Sequence, residues 1–258
     1  MKDKTKTRID ILGCQIDQVN MDQALAFIEK RINKSIPSHI ITVNAEIVYQ
    51  AHKDRQLREV INSASLNTPD GIGIVWAARQ LGATLKERVT GIDLLDRICS
   101  IAPTRGWRVF FLGAAPGVAE KAADRLLAKY PGLVIVGTEN GYFKEEEEKA
   151  VIAKIKALSP HILFIGLGAP KQEYFIRRNL KFLNIPVCIG VGGSFDVVAG
   201  IKKRAPKLFI KLNLEWLYRL LAEPSRFKRQ LALPRFAWLV LRQRVTRGQV
   251  TRGRFSCH

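Results

Sequence analysis

Between residues 107 and 194 the chain alternates short, continuously apolar runs with longer amphipathic ones. Residues 107–112, 134–137, 161–166 and 187–191 read as strands, and 118–130, 144–158 and 171–180 between them as helices. A strand that is apolar at every position has both faces buried, and a helix between two such strands is the crossover that parallel pairing requires. This rhythm constrains the fold to the α/β class: a Rossmann-like, mainly parallel sheet with helices on both faces.

The first hundred residues extend the same plan. Residues 8–17 alternate like a short hairpin, Asn20 caps a helix over 21–32, and residues 39–43 form a strand after which Asn44-Ala45-Glu46 opens another helix. An amphipathic segment at 56–64 leads into Leu66-Asn67-Thr68-Pro69-Asp70-Gly71, followed by a helix over 72–81 and another through Asp93, Leu94 and Ile98. Pro69 fixes its own φ and Gly71 is free at φ, so Pro-Asp-Gly reads as a tight turn from a strand into a helix. Such a turn holds the Asp70 carboxylate at the mouth of the fold.

Three loops share one geometry: Gly113-Ala114-Ala115-Pro116-Gly117, Gly168-Ala169-Pro170 and Gly192-Gly193-Ser194 each end a strand in Gly and open a helix within a few residues. Free N–H groups at such helix starts favour phosphate. None of the loops is a full Gly-x-Gly-x-x-Gly and no Gly-Lys-Ser/Thr follows, which disfavours an NAD-binding oxidoreductase and a P-loop nucleotide site. Clustered at one sheet edge, they fit a nucleotide diphosphate at the carboxyl ends of the strands. Gly113, Gly192, Gly193 and the helix-opening Lys171 are therefore candidate substrate-binding positions.

Charge divides the chain. Of the net +19, residues 201–258 hold 15 Lys and Arg against two Glu. From 201 onward a helix runs through Leu208, Phe209, Leu212, Trp216 and Leu220. A second carries Phe227, Leu231, Phe236, Trp238 and Leu241 and is interrupted at Pro234, and the Arg/Gly-rich end from 246 is expected to be disordered. Three units result: a catalytic domain at 1–200, an amphipathic basic helical appendage at 201–245 and a tail at 246–258. Aromatic and aliphatic residues mixed with Arg and Lys suit an anionic membrane surface, and no nucleic-acid motif accompanies them. No uncharged apolar run approaches the ~18 residues of a membrane span, so the expected location is cytoplasmic and peripheral to the membrane. Scattered Cys14, Cys99, Cys188 and Cys257 and four isolated His argue against a disulfide framework or a metal site.

Seven stretches taken together resemble one family, the WecG/TagA/CpsF glycosyltransferases. They are Thr42-x-Asn44-Ala45-Glu46, Pro69-Asp70-Gly71, Glu87-Arg88-Val89-x-Gly91, Phe111-Leu112-Gly113, Gly141-Tyr142-Phe143, Gly168-Ala169-Pro170-Lys171-Gln172-Glu173 and Gly190-Val191-Gly192-Gly193-Ser194-Phe195-Asp196. The resemblance implies a metal-independent, cofactor-free, inverting transfer of N-acetylmannosamine from UDP to undecaprenyl-diphosphate-linked GlcNAc, in a β-1,4 linkage. That is an early step of wall teichoic acid or related surface polymer synthesis, on the inner face of the membrane. It places the catalytic base at Asp70 with Thr42 beside it, donor-pocket contacts at Asn44, Arg88 and Gln172, and the appendage arginines at Arg219, Arg226 and Arg229; an appendage arginine is expected to help stabilise the departing diphosphate, since Arg suits bidentate diphosphate contacts. UDP-N-acetylmannosaminuronic acid or UDP-glucose are the alternative donors; a basic nucleic-acid-binding α/β protein is the remote alternative, and a homo-oligomer is compatible with the sequence.

Overall fold

The structure, a computed structural model, describes residues 7–212, 214–222 and 231–253. The chain opens with an antiparallel hairpin, β1 (Arg8–Ile11) and β2 (Cys14–Asp17). Helix α1 (Met21–Asn33) follows, and its start is closed by a capping box in which Asn20 and Gln23 each accept the other's backbone N–H. Then come β3 (His39–Val43), α2 (Ala45–Lys53), α3 (Arg55–Ser63), β4 (Leu66–Pro69), α4 (Ile72–Gln80) and α5 (Gly91–Arg105). The regular half consists of β5 (Arg108–Gly113), α6 (Val118–Lys129), β6 (Val134–Glu139), α7 (Glu145–Leu158), β7 (Ile162–Gly166), α8 (Lys171–Leu183), β8 (Val187–Gly190) and α9 (Ser194–Val198).

Strands β3 to β8 form one six-stranded sheet in the order β4-β3-β8-β7-β5-β6, and every neighbouring pair is parallel. Alternate residues of a strand enter opposite layers, as the pleat requires. Val109, Phe111, Ile162, Phe164, Val187 and Ile189 pack with α1, α5 and α6 on one face. Phe110, Leu112, Leu163, Ile165 and Cys188 pack with α7 and α8 on the other. Both faces of β7, β8 and the part of β5 after Arg108 are buried, which is why their sequence is apolar.

The edge strand β4 is covered by the hairpin. The fully buried Asp17 carboxylate accepts the Asn67 N–H at 2.7 Å and pairs with Arg8 at 2.9 Å. Asn67 in turn donates to the carbonyls of Gln15 and Ile61, each at 2.8 Å. An edge that is covered in this way offers no template to another chain, and β4 gains a fixed position.

Beyond residue 200 the structure departs from the sequence reading in two places. The single helix expected through Leu208 to Leu220 is two, α10 (Lys207–Lys211) and α11 (Glu215–Ala222), because the chain turns after Leu212 and the Leu214 N–H closes onto the Phe209 carbonyl at 2.8 Å. Pro234 lies in the first turn of α12 (Ala232–Gly253), where a helix has no use for its missing N–H; the part of the expected second helix before residue 231 lies outside the described residues. Helical conformation also continues past residue 246, where disorder is expected, to Gly253; residues 254–258 lie outside the described residues.

Helix α12 packs against α2 and α4. Phe236 and Val240 are buried with Ile47, Val48, Ile74 and Ala78 in a third core, and Gln243 bonds the hairpin at the Leu12 N–H (3.0 Å) and the Asp10 carboxylate (2.8 Å). Trp238, Leu241 and Val245 on the same helix stay exposed. Phe236→Ala should therefore lower the unfolding free energy by about 3 kcal/mol in urea denaturation, the usual cost of emptying a buried aromatic site. A wild-type midpoint would mean that α12 does not share the core.

Candidate active site

A cavity of about 890 Å³ opens over the carboxyl ends of β4, β3, β8 and β7, where open parallel sheets hold their ligands. Asp70 is among its lining residues. The Asp70 N–H extends the β3–β4 ladder by donating to the Val43 carbonyl at 2.8 Å, and Gly71, at φ 88°, then turns the chain into α4. A side chain at residue 71 would be strained in that left-handed conformation, so the turn depends on glycine. The half-buried Asp70 carboxylate accepts the N–H of Gly91, the first residue of α5, at 3.3 Å through Oδ2.

Thr42 approaches from the adjacent strand. Its hydroxyl donates to the Gly190 carbonyl on β8 at 3.2 Å. A Cβ on Gly91 would lie 3.3 Å from Thr42 Oγ1, so a small residue there is what lets Thr42 and Asp70 share one pocket wall. Asn44 caps α2 by accepting the Ile47 N–H at 3.0 Å, and this fixes its side chain at the cavity rim.

Arg88 enters from a segment pinned along β4. The Val89 N–H donates to the Pro69 carbonyl at 2.8 Å, and the Thr68 hydroxyl donates to the Val89 carbonyl at 3.0 Å. The guanidinium then pairs with Glu215 of α11 at 3.3 Å and reaches the Ile210 carbonyl of α10 at 3.5 Å. Both Arg88 and Glu215 are mostly buried and line the cavity. This ion pair ties the C-terminal helices to the site.

Gln172 and Glu173 brace the opposite side. Gln172 Oε1 accepts the Gly192 N–H at 3.0 Å while Nε2 donates to Glu173 Oε1 at 2.8 Å, so both ends of the amide are engaged. A Cβ on Gly190 would lie 2.5 Å from Gln172 Nε2, and the close approach explains the glycine. Gln172 therefore acts on the site by shaping the Gly192 turn. Burial pushes the Glu173 carboxyl up to about 7, against the lowering effect of its bond with Gln172.

Of the candidate residues, Thr42, Asn44, Asp70, Arg88, Gln172, Gly192 and Gly193 all line the cavity. Gly113 and Lys171 are not among its lining residues. A Cβ on Gly113 would meet the Gly166 backbone at 2.5 Å, so that glycine serves the contact between β5 and β7; the Lys171 ammonium sits 5.8 Å over the Phe143 ring. Arg219 belongs to α11, but its side chain is outside the description, and Arg226 and Arg229 fall outside the described residues. Lining residues that sequence reasoning did not assign include Trp76, Lys202, Lys203 and Glu215, along with Glu173. Glu173 stood inside a matched motif and was readable there; nothing adjacent in the chain marks Glu215 as a partner of Arg88. Among the described residues, no cluster of three His, Cys, Asp or Glu could hold a metal ion, and no helix is long and apolar enough to cross a membrane.

A parallel α/β sheet that gathers a carboxylate, an arginine and glycine turns at its carboxyl edge has the architecture of an α/β enzyme with its pocket at the strand ends. Comparison with known proteins gives that class a definite form. The model of the glycosyl transferase WecG/TagA/CpsF family matches residues 9–250. A Bacillus spizizenii protein named N-acetylglucosaminyldiphosphoundecaprenol N-acetyl-beta-D-mannosaminyltransferase is 40% identical over 203 residues, 79% of this chain and 78% of its own. Proteins of the same name from Bacillus subtilis and Staphylococcus aureus are each 37% identical, over 87% of both chains for the first and over 90% of this chain and 92% of its own for the second. The chain belongs to the WecG/TagA/CpsF family and is a glycosyltransferase.

The Glu173 carboxyl supplies a pH test. A carboxyl whose folded value is raised favours the native state while protonated, so its contribution is present below the ordinary carboxylate range and is lost as pH rises through about 7. Relative to Glu173→Gln, the wild-type protein should lose on the order of 2–3 kcal/mol of stability between about pH 4.5 and pH 7.5. Parallel stability curves for the two proteins would show that Glu173 ionises normally.

Proposed function

We propose that this protein transfers N-acetylmannosamine from UDP-ManNAc to the GlcNAc of undecaprenyl-diphosphate-GlcNAc, with inversion at the anomeric carbon and without a metal. The observation that carries this reading is the convergence of Asp70, Thr42 and Arg88 in one cavity at the sheet's carboxyl edge. The names of the relatives support the acceptor and the sugar.

In the proposed reaction the Asp70 carboxylate takes the proton of the acceptor hydroxyl as that oxygen forms its bond to the anomeric carbon. The bond from that carbon to the UDP oxygen breaks on the opposite face, which inverts the centre. Gly91 N–H holds Asp70 in place, and Thr42 lies beside it for a sugar hydroxyl. Negative charge then grows on the departing diphosphate. Arg88, Lys202 and Lys203 at the cavity, together with the N–H groups of the Gly192-Gly193 turn, supply positive charge to stabilise it. Arginines 219, 226 and 229 belong to the same proposal as further diphosphate ligands.

The reading includes attachment to an anionic membrane. Trp238, Leu241 and Val245 are exposed on α12, and Arg242 lies 5.7 Å over the Trp238 ring, which brings an aromatic and a cation to the same patch. Leu208 on α10, Leu212 just after it and Leu221 on α11 add exposed apolar surface.

In a transfer assay containing EDTA, with a panel of UDP-ManNAc, UDP-N-acetylmannosaminuronic acid and UDP-glucose, UDP-ManNAc should be the donor used. Asp70→Asn should keep UDP affinity and lose about 10²–10⁴-fold in kcat, the range for a general base. Near-normal turnover of that variant would exclude Asp70 as the base. On vesicles containing an anionic lipid, the Trp238→Ser, Arg242→Ser double variant should float at a lower fraction than wild type; equal flotation would remove this patch from the membrane contact.

A further inference from the structure

One part of the cavity has no role in the chemistry above. Ile72 and Trp76 lie one turn apart on α4, and Leu233 and Ala237 lie one turn apart on α12. Residues so spaced share a helix face. All four line the cavity, as does Leu220 of α11. The two helices pack against each other, and α12 is anchored by the buried Phe236 and Val240, so this wall is part of the folded body. It begins next to Asp70, since Ile72 is only two residues along the chain. Trp216 and Leu231 also line the cavity and are each 41% exposed, so its apolar side reaches the surface there.

Sugar hydroxyls and a diphosphate lose by contact with such a wall, because they give up water there without a partner, and a base stacked on Trp76 would still leave the aliphatic Ile72, Leu220, Leu233 and Ala237 uncovered. The polar end of the cavity, with Asp70, Thr42 and Arg88, accounts for those groups. A ligand that satisfies both ends is anionic at one end and hydrocarbon at the other.

We propose that the α4–α12 wall binds the isoprene units nearest the diphosphate of the lipid-linked acceptor, so that the protein itself holds the first part of the chain. The inference rests on the acceptor assigned under the proposed function and adds a site to it. In this proposal the chain leaves the cavity between Trp216 and Leu231, the lining residues that are partly exposed. Hydrocarbon packed on the wall fixes the distance between the diphosphate and the protein surface, and with it the position of the acceptor hydroxyl at Asp70.

The test uses the full chain without lipid or detergent and titrates it calorimetrically with farnesyl diphosphate and with inorganic diphosphate. Farnesyl diphosphate should bind at least about tenfold more tightly, since several buried methylenes are enough for that ratio. Ala237→Trp, which fills the groove, and Trp76→Ala, which removes its broadest surface, should each cut the ratio at least about threefold. Equal affinity of the two probes for the wild-type protein would overturn the proposal. So would an unchanged ratio in both variants, or a micromolar self-association that excludes farnesyl diphosphate, which would assign the wall to a second copy of the chain. Failure of UDP-ManNAc as a donor with the prenyl preference intact would sink the donor assignment and support the lipid site.

Discussion

Parallel pairing of β3 with β4 on one side and β8 on the other is the constraint on which the site depends. It aligns the carboxyl ends of three strands, and Thr42, Asp70 and Gly192 follow from those ends within a few residues. The pairing is tight enough that glycine is needed where the ends converge: Gly91 against Thr42 and Gly190 against Gln172. Each of these contacts is then closed by a hydrogen bond, from Gly91 to Asp70 and from Gly192 to Gln172. The Thr42, Asp70 and Gln172 side chains are thus held by backbone geometry.

The second dependence runs through the C-terminal helices, which combine two roles. Phe236 and Val240 on one side of α12 complete a core, while Trp238 and Leu241 stay outside. Helix α11 contributes Glu215, whose pairing with Arg88 links the basic end of the chain to the cavity. Partial burial gives that ion pair more weight than a surface pair has, and it holds Arg88 at the cavity. A segment that reads from composition as an appendage is in part a wall of the site.

Much of the fold was legible. The continuous apolar runs at β5, β7 and β8 announced a sheet buried on both faces, and Asn20 and Asn44 marked helix starts that the structure confirms. Errors collected beyond residue 200, where α12 is apolar on both sides and no single stripe tells core from surface. Loop glycines were legible as a class but not one by one: Gly192 turns at the cavity, whereas Gly113 allows two strands to touch. Gln172 lines the cavity, and its amide also bonds Gly192 and Glu173, a contact that the sequence does not announce.

Sequence by itself determined the class of fold, the family and the position of Asp70 on a strand-ending turn, because each depends on local order: hydrophobic period, proline and glycine at fixed offsets, and motifs read along the chain. Only the tertiary structure decided which residues meet. Arg88 and Glu215 are 127 residues apart in sequence, and Asp10 and Gln243 are 233 apart. Contacts of that span arise from the packing of whole elements, so no local pattern records them. The Pro69-Asp70-Gly71 turn could be found in one dimension; the cavity that gives its carboxylate a task required all three.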